Sequence, residues 1–270
     1  MRVTVVGCSG SLPGPASAAS CYLVEAEGTG PDGTPRTWRL VLDLGSGALG
    51  PLQTYTALEA VDAVALSHLH PDHCLDLCGL YVALRYDPGR LRGAARQPRL
   101  PVFGPSGTAD RLAAAYGMPS VPGMTGQFDV RQWSAGDPVV VGPLALTPQA
   151  VLHPVEAYGV RVEGPSEQDP GRSVVLAYSG DTDVCEGLAV VARGADVLLA
   201  EASFVEGRDT DRGVHLTGRR AGQVAAAGAV GRLVLTHLPP WNDPADALAE
   251  AGEAYDGALQ LAEPGLVVRL

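Results

Sequence analysis

The stretch ALSHLHPDHCLDL, Ala65 to Leu77, holds His68, His70, Asp72, His73 and Asp76 within nine residues. Histidine is otherwise scarce: the chain has six, and three fall in the six positions from 68 to 73. Imidazole nitrogens and carboxylate oxygens are donors that zinc, manganese and iron accept. In an extended chain alternate side chains share a face, so His68 and His70 point the same way and grip one cation from one side. Pro71 stiffens the turn that follows. A helix beginning near Asp72 would swing Asp72 and His73 toward a second position close by. The spacing therefore suits two cations better than one. The competing reading is a polar loop of solvated histidines. Half of the chain's histidines in one six-residue window argue against it.

These groups need elements to hold them. Short β-branched runs recur at Val3–Val6, Tyr22–Glu25, Leu40–Leu44, Ala63–Ser67, Val102–Phe103, Val139–Val141, Leu144–Thr147, Val174–Tyr178, Val197–Glu201, Leu233–Thr236 and Leu266–Val268, and each reads as a strand. Helical patterns cover Leu75 to Leu84 and Ala189 to Ala192. Another runs from Thr217 to Ala229 behind a Thr N-cap, and the last from Asp243 to Tyr255, with Asp then Pro at its start. Polar residues stand where strands end: His68, Asp181, Glu201 and His237. Loops leaving the carboxyl ends of strands commonly build sites. The early half is strand-rich, and strands alternate with helices later, which predicts sheets covered by helices rather than one doubly wound sheet. The Gly/Pro-rich stretch Glu27 to Thr37 reads as a hairpin loop. With no linker in sight, residues 1–270 are expected to form one domain.

Hydrophobic residues make up 46% of the chain and aromatics only 5%, so Val, Leu and Ala must fill the core. The net charge is −11, and all nineteen bases are arginine. That balance argues against broad nucleic-acid binding, which needs several cationic phosphate contacts. It leaves a small phosphate-bearing substrate open. The five cysteines are odd in number and scattered, which points to reduced thiols in a cytoplasmic protein. Cys74 and Cys78, one helical turn apart, are expected to pack in the core. The box VVGC, Val5 to Cys8, looks like a lipoprotein cleavage site, but the few residues before it cannot supply an apolar segment of about 7–15 residues. No run approaches the roughly 18 apolar residues that span a membrane.

HLHPDH is similar to the H-x-H-x-D-H motif of the metallo-β-lactamase superfamily, and the resemblance extends over nearly the whole chain. VLDLGSG, Val41 to Gly47, resembles that family's D-x-G strand-turn. His153 in LHP, Asp181 in SGDT and His237 in LTHLPP stand where further ligands are expected, with successive gaps of 80, 28 and 56 residues after His73. The resemblance implies a four-layer αββα sandwich carrying two divalent cations, zinc first, with manganese or iron as alternatives. It assigns His68, His70 and His153 to one cation and Asp72, His73 and His237 to the other, with Asp181 shared. Such pairs activate water for hydrolysis and neutralise phosphoryl charge.

His215 is outside that ligand set. Alone, it reads as a surface histidine near a helix N-cap. HLT before an Ala-rich helix, followed by LVLTHLPPW, resembles the RNase Z-like group, where a histidine of an H-[MLS]-T motif works beside the scissile phosphate. There a glutamate in H-E-A-T-F partners it. In AEASF, Ala200 to Phe204, Glu201 matches and Ala200 replaces the histidine. Asp72, His215 and Glu201 are thus the candidate catalytic residues. An imidazolium braced by a carboxylate protonates a departing alkoxide, which favours phosphodiesters over β-lactams or thioesters.

Two departures argue against a tRNA substrate. The P-x-K-x-R-N loop of tRNA-processing members is replaced by LPGPASAAS, which has no base. The interval between His153 and Asp181 has 27 residues, room for a hairpin but not for a tRNA-gripping arm. What remains resembles a compact actinobacterial branch of cyclic-nucleotide phosphodiesterases. It implies hydrolysis of 3′,5′-cyclic AMP, and of cyclic GMP, to 5′-monophosphates by a homodimer. RNA 3′-end processing and a non-catalytic metal-binding sensor or scaffold are the alternatives. Arg85, Arg90, Arg92, Arg96 and Arg99 read as a solvated helix end and loop. Tyr81, Tyr86 and Trp241 are candidate base-stacking aromatics, with Trp241 favoured because it lies four residues after His237.

Overall fold

The computed structural model describes residues 1–88, 98–169 and 171–270, so Arg90, Arg92 and Arg96 lie outside the described residues. Among the described residues, fourteen strands form two seven-stranded mixed sheets. The first is built from β1 (Arg2–Gly7), β2 (Cys21–Thr29), β3 (Pro35–Leu42), β4 (Ala63–Ala65), β5 (Leu100–Gly104), β6 (Phe128–Gln132) and β14 (Val267–Arg269), in the order β14-β1-β2-β3-β4-β5-β6. The second contains β7 (Val139–Val141), β8 (Leu144–Ala150), β9 (Tyr158–Pro165), β10 (Ser173–Tyr178), β11 (Val197–Glu201), β12 (Arg232–Thr236) and β13 (Ala258–Leu261), in the order β13-β12-β11-β10-β9-β8-β7. Each sheet is antiparallel at one end and parallel at the other. Strands β3 to β6 run parallel, and so do β10 to β13.

Three apolar clusters define the layers. Between the sheets, Val3, Tyr22, Val24, Leu40 and Leu42 meet Leu144, Leu146, Val160, Val162, Leu176, Tyr178, Leu199 and Val234. Outside the first sheet, Val41, Val64, Leu66 and Val102 are covered by α1 (Leu49–Leu52), α3 (Leu77–Tyr86) and α4 (Thr108–Tyr116), which contribute Leu52, Leu77, Leu80, Tyr81 and Leu112. Outside the second, α5 (Glu186–Ala192), α6 (Gly218–Ala227) and α7 (Pro244–Gly252) lay Leu188, Val191, Ala221, Val224, Ala247 and Ala251 over Leu198, Leu233 and Leu235. Strands covered on both faces carry continuous apolar runs, which is why AVA and VLLAE are buried throughout. This is the four-layer αββα sandwich that the resemblance implies.

The local predictions largely hold. Thr217 caps α6 by accepting from Arg220 N–H at 3.2 Å, and Asp243 caps α7 by accepting from Ala245 N–H at 2.9 Å. The Glu27–Thr37 region is a hairpin, but its strands run further in than expected, to the Thr29–Pro35 pair. All five cysteines are free. Cys74 is buried, and Cys78 points its thiol at Leu112 O, 3.8 Å away. Strands β6 and β13 and helices α1 and α4 are absent from the sequence reading, and β9 entered it without bounds, as part of the hairpin expected between His153 and Asp181. Among the described residues no helix is long and apolar enough to cross a membrane.

Candidate metal centre

The parallel strands of both sheets deliver their carboxyl ends to one seam, and the polar residues singled out above converge there. Strand β4 leads into His68. His70 is extended (φ −67°, ψ 152°) and precedes α2 (Pro71–Cys74), whose first turn carries Asp72 and His73. His153 follows β8, Asp181 follows β10, Glu201 ends β11 and His237 follows β12. Among the described residues two nests hold the expected ligands, one of His68, His70 and His153, the other of Asp72, His73, Asp181 and His237, and a third group, Glu201, His215 and His237, overlaps the second. Each nest draws from both sheets. His68, Asp72, His73, Asp181, Glu201 and His237 form a buried floor, while His70, His153 and His215 are half-buried at its mouth.

The outward nitrogens of the imidazoles decide what the inward ones carry. His73 Nδ1–H donates to Asp43 Oδ2 at 2.7 Å. Ser67 Oγ gives its proton to Asp43 Oδ2 (2.7 Å) and so accepts from His68 Nδ1–H at 3.0 Å. His153 Nδ1–H donates to Val214 O at 2.9 Å. Ser203 Oγ donates to His237 O (2.7 Å) and accepts from His237 Nδ1–H at 2.8 Å. An imidazole that donates through one nitrogen presents a lone pair on the other. The inward nitrogens nevertheless crowd together. His70 Nδ1 lies 3.0 Å from His68 Nε2 and 3.2 Å from His153 Nε2, and His73 Nε2 lies 3.1 Å from His237 Nε2. Lone pairs facing at these distances repel unless a proton or a metal ion stands between them. Nitrogens roughly 2.0–2.1 Å from a tetrahedral zinc sit about 3.3 Å apart, so the spacing fits a metal ion.

The electrostatics agree. Burial alone would push His73 down, but the charges of Asp181 and Asp43 raise it well above the usual histidine range, so the carboxylates that attract a cation also favour a proton on His73, which metal binding must displace. Burial would raise Asp181, yet His237, His73 and His68 around it hold it well below the usual carboxylate range. Burial lowers His68 and His70, which keeps their nitrogens unprotonated and available as donors. Buried carboxylates that stay ionised make this a pit for positive charge.

Asp43 is the orienting residue that the sequence reading passed over, although VLDLGSG had been noted. It is fully buried and accepts from Ser67 N–H, Ser67 Oγ, His73 and Tyr178 Oη, each at 2.7 Å. Its backbone and that of His237 are left-handed (φ 54° and 56°), a region that aspartate and histidine tolerate better than most side chains. Two residues on, Gly45 lets the two chain segments touch: a Cβ there would sit 1.8 Å from Asp72 O. Ser67, Tyr178 and Ser203 were missed as well.

His215 Nδ1 pairs with Glu201 Oε1 at 2.9 Å. The ring centroid lies 5.5 Å from His153 and 5.7 Å from His237, so this pair borders both nests. Burial would lower His215, but the Glu201 charge and hydrogen bond raise it to about 9. The candidate stackers separate. Tyr81 is buried against Tyr116 and Phe128, so a base-stacking role is excluded by packing. Trp241 is 62% exposed. Arg85 lies over Tyr81 and Tyr86, and Arg99 pairs with Asp129 at 3.4 Å.

A family model described as a beta-lactamase superfamily domain matches residues 38–238. The chain belongs to the metallo-β-lactamase superfamily. Within it, the relatives are RNase Z-like and the enzyme class is that of metallo-hydrolases. A Mycobacterium tuberculosis (strain ATCC 25618 / H37Rv) protein, Rv1339, is 45% identical over 260 residues, covering 95% of this chain and 88% of that protein. The probable metallo-hydrolase YhfI of Bacillus subtilis is 29% identical over 267 residues, 99% of both chains. Its crystal structure matches this one with a TM-score of 0.82, covering 100% of this chain and 99% of YhfI. A ribonuclease Z of Myxococcus xanthus (strain DK1622) is 28% identical over 281 residues, 86% of this chain and 88% of that enzyme.

Proposed function

We propose that this metallo-β-lactamase-fold protein is a phosphodiesterase that hydrolyses 3′,5′-cyclic AMP, and cyclic GMP, to the 5′-monophosphates. The observation that carries the reading is the His215–Glu201 pair, 2.9 Å apart and bordering both nests. His68, His70 and His153 would hold one divalent cation and Asp72, His73 and His237 a second, with Asp181 between them, zinc being the first choice. When bound, such ions supply Lewis-acid charge at the phosphoryl oxygens and make water a nucleophile near neutral pH.

The chain's own groups then do the following. Glu201 holds Nδ1 of His215, which leaves Nε2 to carry a proton toward the reacting centre. As water adds across the P–O3′ bond, a P–O bond to the water oxygen forms and the P–O3′ bond breaks. O3′ takes the proton of His215 Nε2, while Asp72, which burial would raise but His237 and His73 hold well below the usual carboxylate range, stays ionised and accepts a hydrogen bond from the attacking water, whose proton passes to solvent. Proton donation of this kind is worth about 10²–10⁴ in rate.

RNA end processing is the second reading, favoured by the likeness to ribonuclease Z. Against it, β9 and β10 pair as a hairpin and take up most of the interval between His153 and Asp181. The test is a panel of cyclic AMP, cyclic GMP, their 2′,3′ isomers and precursor tRNA, run with metal content measured. Release of 5′-AMP with about two metal ions per chain is expected. Precursor-tRNA cleavage without cyclic-nucleotide turnover overturns the choice. Inertness toward bis-p-nitrophenyl phosphate as well would favour a sensor or scaffold. The homodimer belongs to the same proposal, and light scattering checks it.

A further inference from the structure

We propose that Asp183 is the positioning residue of His215, acting through Arg212, Gly213 and Arg220. The inference rests on the phosphodiester reading of the site. His215 sits in a segment without regular secondary structure between the isolated bridge residues Phe204 and Thr217. Neither a helix nor a strand ladder sets where its ring goes. The Phe204–Thr217 bridge and the Phe204 N–H bond to Leu216 O (3.0 Å) close the base of the segment. Its far side is tied to one carboxylate.

Asp183 accepts from Arg212 Nε at 2.6 Å and Nη2 at 3.2 Å, from Gly213 N–H at 2.9 Å and from Arg220 Nη1 at 3.4 Å. Its own neighbour Val184 adds a fifth N–H at 2.7 Å. Arg220 Nη1 also donates to His215 O at 3.4 Å, so one guanidinium joins Asp183 to the backbone of the histidine it is to place. Gly213 is left-handed (φ 78°) and turns the chain so that Val214 O receives the proton of His153 Nδ1. The side chain of Asp183 is 1% exposed, whereas that of Arg212 is 63% exposed. Withdrawing a carboxylate this far from water is costly unless donors replace the solvent. An ordinary surface ion pair would not require it.

The turn carrying Asp183 couples the whole constellation. Asp181 belongs to the second nest. Thr182 N–H donates to Glu201 Oε1 at 2.7 Å, the same oxygen that holds His215 Nδ1. Asp183 N–H donates to Leu152 O at 2.9 Å, next to His153. Three consecutive residues thus locate the metal nest, the imidazole's partner and the imidazole's backbone relative to one another. Such registration matters because a misplacement of about 1 Å costs about 100-fold in rate.

The experiment compares two leaving groups on the full-length, metal-loaded protein. Cyclic AMP expels an alkoxide that needs a proton, whereas bis-p-nitrophenyl phosphate expels a nitrophenolate that does not. Asp183→Asn is expected to lower kcat on cyclic AMP about 100-fold, with KM little changed. On bis-p-nitrophenyl phosphate the loss should stay within about threefold, because no proton donor is needed there. In a His215→Ala background the substitution should add nothing further on cyclic AMP. Melting temperature and metal content are read on the same samples. If Asp183→Asn does not fold, the exposed Arg212→Ala is used and must show the same selectivity. Equal losses on both substrates, or losses additive with His215→Ala, overturn the inference. A wild type inert toward cyclic AMP defeats the cyclic-nucleotide reading alone. The comparison then runs with precursor tRNA, whose leaving ribose 3′-oxygen is also an alkoxide. Inertness toward every substrate defeats both.

Discussion

Asp43→Asn isolates what the buried carboxylate does for the metal nests, because the two side chains have the same shape. Asp43 Oδ2 faces three donors in the folded chain, Ser67 Oγ, Tyr178 Oη and His73 Nδ1. If an amide nitrogen takes its place, the two hydroxyls can rotate to accept. His73 can only move its proton to Nε2, which removes the lone pair that points toward His237. If the amide turns the other way, its nitrogen meets the Ser67 N–H, which cannot accept. Either way a buried partner is lost. Removing one member of a buried charged pair costs about 3–5 kcal/mol. For a chain of this length that is a fall of roughly 6–10 °C in Tm. Loss of an orienting carboxylate behind a metal-ligating histidine typically weakens metal binding about 10–100-fold. Chelator competition on the metal-loaded variant, followed by element analysis, reads the second number, and a thermal melt in excess metal reads the first. A variant that keeps its metal against the chelator as wild type does, and melts with it, refutes the argument that Asp43 sets the tautomer of His73.

Gly45→Ala would place a Cβ 1.8 Å from Asp72 O; a shift of about 1 Å in Asp72 should cost on the order of 100-fold in kcat, with destabilisation of about 1–3 kcal/mol. Stripping metal with dipicolinate should lower Tm by about 5 °C where free metal had stood near 100 times its Kd, and zinc should restore it; an unmoved Tm would remove the metal assignment. His215 is raised to about 9, so activity that depends on its proton should persist through neutral pH and fall as pH rises through that value. Glu201→Gln deletes the charge that raises it and should move this alkaline limb to lower pH; an unmoved limb means that another group titrates.

The parts of the site legible in the sequence were those whose donors are dense or whose strands announce themselves. HLHPDH is dense, and His237 and Glu201 end apolar runs, so their place at strand tips could be inferred from pattern alone. The two stretches of different rhythm pointed to sheets covered by helices, and the αββα layering itself came from the family resemblance. The partners behind the ligands were not legible. Tyr178 reaches Asp43 across 135 positions and Ser203 reaches His237 across 34, and no local spacing marks such pairs. Asp183 was not singled out at all, since its arginines lie 29 and 37 positions away. Among the elements missed or left without bounds, β9 is interrupted by Gly159 and Gly164, β13 is only four residues long, and the alanines of α4 give a weak apolar stripe. Tyr81 was open to a surface role because a tyrosine in a helix reads the same whether its ring meets solvent or Phe128.

That each nest takes ligands from both sheets has a consequence for how the protein is made. Neither nest can be completed by the residues up to Gln132, so an N-terminal fragment has no site to load, and a chain emerging from the ribosome must wait for His153 to complete the first nest and for His237 to complete the second. Once captured, an ion acts as a rivet through the interface between the two halves, and prying them apart means first giving it up. Metal starvation should therefore show itself as loosened sheet-to-sheet packing throughout the molecule, well beyond the few loops around the ligands.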